Sequence, residues 1–331
     1  MVKGLPMILG YAEENGRLRR LPVPLDETER VIWYDLFCPT PREAAQVASV
    51  LGIEIPTREE MEEIEISSRL YQEDDAIFMT ATLLSRTDTD QPQSSPVTFI
   101  LAGARLVTIR YEEPRAFQAF PTRAEKAGLG CFSGEKTLLA LLEAVVDRLA
   151  DVLERDAREI DRLSQSIFSH DSSGSRDSRD KDFQKILKLI GRKGDLTSDI
   201  RESMVSLQRV FVYLTQIATE RKTGKDSRTR LRTLHRDAQS LTDHATFLSS
   251  KITFLLDATL GMINIEQNAI IKLFSVCLLY FLPPTLVASI YGMNFRYMPE
   301  LEWPFGYPLA IALMLASAII PYRLFKRWGW L

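Results

Sequence analysis

Side chains able to contact a hydrated cation recur along one face of a candidate helix near the C-terminus. Steps of seven, four and three residues, which keep side chains on one helix face, start at Asp257 and lead to Gly292, beside Asn294. Between these ends the line consists of Asn264, Asn268, Ile271, Ser275, Leu278, Leu282, Thr285 and Ser289. Amides and hydroxyls therefore alternate with aliphatic side chains in a segment that is otherwise apolar.

Oxygen atoms of this kind suit a hard cation that keeps its water. Mg²⁺ holds several waters in protein sites, and amide oxygens such as those of Asn264 and Asn268 can accept hydrogen bonds from that shell. Rings of Ile271, Leu278 and Leu282 could close a pore by excluding water. Because one helix cannot enclose a pore, this interpretation needs several copies around an axis. The alternative is that the two asparagines join neighbouring helices by hydrogen bonds.

Other kinds of site find little support in the composition. The three cysteines and three histidines lie at spacings that favour neither a disulfide framework nor a metal site. No nucleophile–base pair emerges, so we do not expect an enzyme. The sequence has no GxxxxGK(S/T) loop for a nucleotide, and a net charge of −3 without basic, aromatic-rich runs gives no reason to expect nucleic acid binding.

Two uncharged segments of 18 residues each, at 273–290 and 305–322, are long enough to cross a membrane. The alternative is a pair of buried core helices, but the basic and aromatic flanks favour membrane spans. Pro283 and Pro284 lie inside the first span. In a membrane bundle, neighbouring helices can compensate for the hydrogen bonds that these prolines remove.

Charges beside the two spans predict their orientation. Lys272 precedes the first span and Arg323, Lys326 and Arg327 follow the second, whereas the loop between them holds one Arg and two Glu. Because positive residues stay on the cytosolic side, both termini are predicted in the cytosol and the loop outside. The first residues lack the apolar core of a signal peptide. We therefore expect a multi-pass protein of the cell inner (plasma) membrane, with the lipid bilayer as a partner.

The first 133 residues alternate β-rich and helix-like stretches, which predicts an α/β domain with a mixed sheet. Its expected elements are strands at 30–37, 76–84 and 97–100, a helix at 41–51 and a loop at 91–96. Ala102-Gly103 could turn the last strand into a hairpin with residues 105–110. Thr57 and Glu60 have the spacing of a capping box that opens another short helix.

One long helix is predicted at 134–169, and it is rich in acidic residues. The acids that make it so between residues 143 and 161 are Glu143, Asp147, Asp151, Glu154, Asp156, Glu159 and Asp161. They indicate a solvated helix face or, alternatively, a surface that raises the local cation concentration near a pore. Residues 171–182 are polar and of low complexity, so we expect disorder there, with helices resuming at 183–220.

A seam of apolar residues at alternating spacings of three and four begins soon after residue 228. Its members are Leu231, Leu234, Ala238, Leu241, Ala245, Leu248, Ile252 and Leu255. Such a heptad pattern needs a partner helix. It predicts a stalk helix that leads into the first membrane span.

Together these features predict an α+β membrane protein with an N-terminal cytosolic domain, a long helical stalk and two C-terminal transmembrane helices. The predicted cytosolic divisions are an α/β domain at 1–133, a helical hairpin region at 134–226 and a stalk helix at 227–270. The predicted membrane part consists of a pore-lining helix at 271–291, an external loop at 292–304 and a second membrane helix at 305–323, followed by a basic cytosolic tail at 324–331.

The region around residues 280–304 resembles the CorA magnesium-transporter family. The motif runs Tyr291-Gly292-Met293-Asn294-Phe295, then Met298-Pro299-Glu300-Leu301, a Trp, and Gly306-Tyr307-Pro308. The C-terminal region is closely similar to the family, the stalk is similar in its pattern, and the N-terminal domain is only loosely similar.

The resemblance implies a homopentameric channel with a funnel-shaped cytosolic part, in which the first membrane helices line the pore. It implies that Asn294 and the backbone carbonyl of Gly292, with Met293 between them, form the outer cation-selecting ring. It also implies that Glu300 belongs to the external loop that helps to hold this ring. Mg²⁺ would be both the transported ion and a regulatory ligand.

The resemblance further implies a cytosolic regulatory site at Asp257, where bound Mg²⁺ bridges neighbouring subunits and holds the pore shut. The family's partner acid lies in a loop of the N-terminal domain, and Asp88 and Asp90 are the candidates here, although the local sequence departs from the family pattern. Carboxylates that face each other repel until a divalent ion neutralises them. Ion binding would therefore favour the closed packing of subunits.

Two alternatives to a passive Mg²⁺ channel remain open. One is a zinc-transporting relative of the same architecture, whose members typically have Val where this chain has Met293. Co²⁺ and Ni²⁺ are further candidate ions. The other alternative is a membrane-anchored coiled-coil scaffold without transport, which explains the heptad seam but not the polar line.

Overall fold

A mixed sheet of seven strands forms the centre of the N-terminal part of the chain. The computed structural model describes residues 7–21, 30–89, 91–126, 129–168, 176–221, 224–293, 298–299 and 303–327. The chain separates into two units, Met1–Leu256 and Asp257–Leu331.

The sheet belongs to the first unit. Its strands are β1 (Met7–Glu14), β2 (Arg17–Arg20), β3 (Val31–Phe37), β4 (Leu70–Glu73), β5 (Ala76–Ser85), β6 (Gln93–Ala102) and β7 (Arg105–Arg110). They are ordered β2-β1-β3-β7-β6-β5-β4, and β3 pairs with β7 in parallel while the other described pairs are antiparallel. All ten residues of β5 are buried, as in a strand covered on both faces. The predicted mixed sheet is confirmed.

Two short-range motifs are present as predicted. Before α2 (Arg58–Glu62), the N–H of Glu60 donates to Thr57 Oγ1 at 3.3 Å, and the N–H of Thr57 donates to Glu60 Oε2 at 2.7 Å, which completes the capping box. The hairpin of β6 and β7 turns at Gly103, whose φ of +57° lies in the left-handed region that glycine adopts without strain. The predicted helix at 41–51 is α1 (Pro41–Leu51), and α3 (Ile66–Arg69) leads into β4.

The predicted loop at 91–96 is wrong for its last four residues, which belong to β6. They pair with β5, from Gln93 opposite Ser85 to Pro96 opposite Thr82. The pairing of β6 with β7 begins only at Val97, so these four residues have a strand neighbour on one side alone. Proline is tolerated in such an edge segment because its missing N–H leaves no ladder bond unmade.

Four helices follow the sheet, and a fifth lies in the C-terminal unit. They are α4 (Arg115–Lys126), α5 (Gly134–Phe168), α6 (Arg176–Glu220), α7 (Lys225–Tyr291) and α8 (Gly306–Arg327). The expected disorder at 171–182 is wrong for residues 176–182, which form the start of α6, whereas residues 171–175 lie outside the described residues. Arg and Lys are good helix formers, and a helix that is already nucleated extends at one hydrogen bond per residue.

The heptad seam of α7 finds its partner helices within the same chain. The buried members are Leu231, Leu234, Ala238, Ala245, Leu248, Ile252 and Leu255. Polar contacts at the edges of the seam identify α5 and α6 as the neighbours: Arg230 binds Glu143 with both ends of its guanidinium, at 2.8 and 2.7 Å, and Gln208 donates to Thr242 at 2.8 Å. The seam therefore stabilises the first unit from within.

The interpretation of the acids of α5 as a wholly solvated face is wrong for Asp156, which is buried. Its carboxylate accepts a hydrogen bond from Thr197 at 2.8 Å and lies 3.0 Å from Lys193 Nζ, both on α6. A buried carboxylate needs such partners, because an unpaired charge in the interior is costly. Asp156 therefore joins α5 to α6.

Gly134, the first residue of α5, permits this helix to start directly against β7. Its N–H donates to Ala104 O at 2.6 Å, and a Cβ at this position would lie 2.5 Å from Leu106 N and 2.8 Å from Arg105 Cα. Because those are backbone atoms, they cannot rotate away. We expect Gly134→Ala to lower the free energy of unfolding by about 1–3 kcal/mol or more. Urea denaturation of the purified protein in detergent measures this loss.

Gly191 provides the matched control for that substitution. It lies inside α6, where an added Cβ would meet nothing within 4 Å. Gly191→Ala should therefore raise the free energy of unfolding by about 1 kcal/mol, the ordinary gain in a helix interior. A Gly134→Ala protein as stable as the wild type would contradict the close approach of α5 to β7.

The second unit consists of the C-terminal part of α7 and of α8. Both helices contain a segment long and apolar enough to cross a membrane, with mean hydropathy of 1.9 and 1.7. α7 passes through Pro283 and Pro284 without ending, and α8 passes through Pro321. The prediction of two candidate membrane helices is confirmed.

Candidate pore-lining face and regulatory acid

The membrane segment of α7 has one face that is partly covered within the subunit. The half-buried residues on this face are Val276, Leu279, Tyr280, Pro283, Pro284, Val287 and Tyr291. They recur at steps of one, three and four residues, so they lie on one side of the helix. The ring of Tyr280 packs on that of Tyr322 in α8, with centroids 5.6 Å apart. This side is therefore the one that α8 covers.

The predicted line of polar and aliphatic side chains lies on the opposite side of α7. Leu278 and Leu282 are two residues before and after Tyr280, and two residues correspond to about 200° around a helix. Each of these leucines, like Ile271, is 61% exposed. The remaining predicted members between Asp257 and Ser289 are exposed as well: Asp257, Asn264, Asn268, Ser275, Thr285 and Ser289. A single subunit thus leaves the whole line uncovered.

Two of the three hydroxyls of the line, those of Ser275 and Thr285, have their hydrogens engaged. Ser275 Oγ donates to Ile271 O at 2.8 Å, and Thr285 Oγ1 donates to Phe281 O at 2.6 Å. A hydroxyl oxygen that has donated its hydrogen retains lone pairs that accept. The outward-facing atoms of Ser275 and Thr285 are thus acceptors, which suits the water shell of a cation because those waters point their hydrogens outward.

The signature residues follow directly on the end of α7. The N–H of Gly292 donates to Ala288 O at 3.0 Å, and that of Met293 donates to Ile290 O at 3.3 Å. A Cβ at position 292 would lie 3.2 Å from Ala288 O, so this close turn favours glycine. Met293 is exposed.

Three of the predicted site residues, Asn294, Glu300 and Asp90, lie outside the described residues.

Asp257, the predicted regulatory acid, is exposed on α7. Among the described residues there is no group of three or more His, Cys, Asp or Glu side chains placed to hold a metal ion. Divalent cations such as Ca²⁺ and Mg²⁺ take six or more oxygen ligands in all. A cation at Asp257 would therefore need water or ligands beyond such a group to complete its coordination.

Asp88, the other described candidate for the regulatory site, is surrounded by arginines. It lies in the turn after β5, where Oδ1 accepts from Arg148 at 2.9 Å and from Arg155 at 2.8 Å, and Oδ2 accepts from Arg115. A divalent cation would have to displace these guanidinium groups and would be repelled by them. These surroundings argue against Asp88 as a ligand of regulatory Mg²⁺, and that role stays a prediction.

The arginines around Asp88 are residues that sequence reasoning did not single out. Arg148 and Arg155 are seven residues apart on α5, which indicates that they share a helix face. No sequence pattern links these two arginines to the turn at Asp88, which lies 60 and 67 residues earlier in the chain. Only the packing of α5 against the sheet, beside β7, β6 and β3, brings them together with Asp88.

Comparison with known proteins confirms the resemblance in the membrane region and extends it over the chain. Residues 28–327 match the family described as CorA-like Mg²⁺ transporter protein. The magnesium transport protein CorA of Escherichia coli strain K12 is 36% identical over 328 residues, covering 98% of this chain and 100% of that protein. The same values hold for the magnesium transport protein CorA of Yersinia pseudotuberculosis.

The fold is also that of a solved structure. The CorA magnesium transporter from Methanocaldococcus jannaschii matches with a TM-score of 0.75 at 21% identity, covering 98% of this chain and 99% of that one. Since the family match and the 36% identity each extend along nearly the whole sequence, this chain belongs to the CorA-like Mg²⁺ transporter family.

Proposed function

We propose that this protein is a passive channel for Mg²⁺, with Co²⁺ and Ni²⁺ as further candidate ions, and not an enzyme. Membership of a transporter family supports transport. The observation that carries the proposal is the exposed line of α7, which lies opposite the side covered by α8. Several copies around an axis would bring these uncovered faces together as the wall of a pore.

The proposed assembly is a homopentamer with a funnel-shaped cytosolic part, the subunit number and shape that the family resemblance implies. It would lie in the inner (plasma) membrane, with both termini in the cytosol, because the basic residues flank the two spans on that side. With an interior-negative potential, each 100 mV is worth about 2.3 kcal/mol per elementary charge. A divalent cation then gains about 4.6 kcal/mol on entry, so uptake needs no nucleotide.

Each part of the line has a proposed task in cation passage. Asn264, Asn268, Ser275 and Thr285 supply oxygen atoms that accept hydrogen bonds from the ion's water shell. Ile271, Leu278 and Leu282 form apolar rings that exclude water when the pore is closed. The outer selecting ring is assigned to Gly292, Met293 and Asn294, with Glu300 in the loop that supports it.

Regulation is assigned to Asp257 on the cytosolic side. Its exposed carboxylate is a hard oxygen ligand, and the scarcity of other ligands among the described residues of one chain points to a site shared between copies. Mg²⁺ bound there would neutralise carboxylates that otherwise repel across the subunit interface. The bound ion would thereby favour the closed packing.

Ion flux into liposomes that contain the purified protein tests the proposed function. With an interior-negative potential, we expect saturable Mg²⁺ uptake, and Co²⁺, Ni²⁺ and Zn²⁺ are compared in the same preparation. Preference for Zn²⁺ would favour the zinc-transporting alternative. Absence of flux for every ion, with correctly inserted protein, would favour the scaffold and overturn the proposal.

Two variants in the same liposomes test the assigned residues. Asp257→Asn should retain uptake but lose inhibition by Mg²⁺ on the cytosolic side, because the amide removes the charge that the ion neutralises. Asn294→Ala should lose discrimination among the four ions. An Asp257→Asn channel that closes at the same internal Mg²⁺ as the wild type would remove Asp257 from the regulatory role.

A further inference from the structure

Three arginines converge on one carboxylate in the first unit, and they come from two different helices. Arg115 is the first residue of α4, whereas Arg148 and Arg155 lie on α5. All three donate to Asp88. Arg148 also donates to Thr87 Oγ1 at 3.0 Å, and Arg155 donates to the Thr87 carbonyl. We call these residues, with Asp88, the arginine cluster.

The one carboxylate of the cluster does not balance the positive charge of its three arginines. Asp88 is shared among three guanidinium groups, and Asp151 is the other acid whose charge acts on Arg148. Glu112, which is also close by, is bound to Arg86 at 3.0 Å. Three guanidinium groups thus share the single carboxylate of Asp88, and the start of α4 adds the partial positive charge of a helix N-terminus.

Several guanidinium N–H groups of the cluster are not used in its bonds to Asp88 and Thr87. A guanidinium carries five N–H groups, and the bonds to Asp88 and Thr87 use one or two on each arginine. Arg148 Nε is buried and has no acceptor among the described residues. The side chains of Arg115 and Arg155 are 56% and 38% exposed, so their remaining N–H groups are accessible to a ligand.

We propose that the arginine cluster is a binding site for a phosphate-type oxyanion, and that Asp88 occupies it as an internal counter-ion when no such anion is bound. The planar fork of arginine matches phosphate oxygens with two parallel hydrogen bonds. Excess positive charge and unused N–H donors favour an anion over a divalent cation at this place, and partial exposure makes those donors accessible.

Titration calorimetry of the purified full-length protein in detergent, with inorganic phosphate at constant ionic strength, tests the site. We expect saturable binding that Arg155→Gln weakens by about tenfold or more, since a hydrogen bond to a charged group contributes at least that factor. Asp88→Asn should strengthen phosphate binding several-fold, because the competing carboxylate is gone. Glycerol phosphate in place of inorganic phosphate distinguishes an esterified from a free phosphate as the source.

Arg158→Gln is the matched control. Arg158 lies on α5 three residues after Arg155, but it is paired with Glu154 at 3.5 Å, outside the cluster. It should leave phosphate binding unchanged, and Arg155→Lys should fall between wild type and Arg155→Gln because the ammonium keeps the charge without the fork. Phosphate heats no larger than those of chloride, equal losses in Arg155→Gln and Arg158→Gln, or weaker phosphate binding in Asp88→Asn would each overturn the proposal.

Discussion

Leu282→Asn is expected to raise the Mg²⁺ flux through the closed channel by about tenfold or more. The leucine is 61% exposed in the subunit and points away from α8, so several copies would form an apolar ring on the pore axis. A tenfold rise needs a barrier only about 1.4 kcal/mol lower. Each leucine side chain alone contributes about 1.5–3 kcal/mol of hydrophobic transfer free energy. An amide in every copy would hydrate the constriction.

Flux into liposomes at a concentration of internal Mg²⁺ that inhibits wild-type uptake measures this effect, because the proposed regulation then holds the wild type closed. Leu315→Asn is the matched control, since Leu315 is 58% exposed but lies on α8, away from the line. It should leave the closed-state flux at the wild-type level. If both variants leaked equally, the rise would reflect a disturbed membrane helix and not the loss of an apolar gate.

Asp35→Asn is expected to lower the free energy of unfolding by about 3–5 kcal/mol, the cost of leaving a buried charge without its partner. Arg110 donates to both oxygens of Asp35, at 3.1 and 2.9 Å, and both side chains are almost fully buried. Thr108 donates to Asp35 at 2.7 Å and accepts from Trp33 at 3.0 Å. With an amide at position 35, the Arg110 guanidinium remains in the core between Phe37 and Phe117.

Urea unfolding of the detergent-solubilised protein, followed by tryptophan fluorescence, measures this loss. Glu14→Gln is the control, because it breaks only the surface pairs of Glu14 with Arg19, 2.8 Å apart, and with Arg30, 3.5 Å apart. Surface pairs contribute about 0–1 kcal/mol each. The double variant Asp35→Leu/Arg110→Met should be less destabilised than Asp35→Asn, because it leaves no unpaired charge. A double variant that is more destabilised would mean that the charges themselves, and not their pairing, stabilise the sheet.

Patterns that depend on a few neighbouring residues were predictable from the sequence. The capping box at Thr57 and the hairpin turn at Gly103 each involve fewer than five positions, and the structure has both. The predictions that were wrong concern places where distant chain segments decide the local conformation. Pro96 lies in a strand because β5 pairs with it while β7 does not reach it, and a proline-containing polar run carries no sign of such neighbours.

The same distinction between local sequence patterns and long-range packing applies to the candidate pore and to the charges of the first unit. Helical spacing alone determined that a polar and aliphatic line runs from Asp257 toward Gly292, because a helix has 3.6 residues per turn. Length and the absence of charge determined the two membrane segments, because the thickness of a bilayer sets the length of an apolar span. The tertiary structure decided which face of α7 is covered by α8 and which helices cover the heptad seam. It also decided that Asp88 meets arginines, a pairing set by the packing of α5 and α4 beside the sheet and not by spacing along the chain.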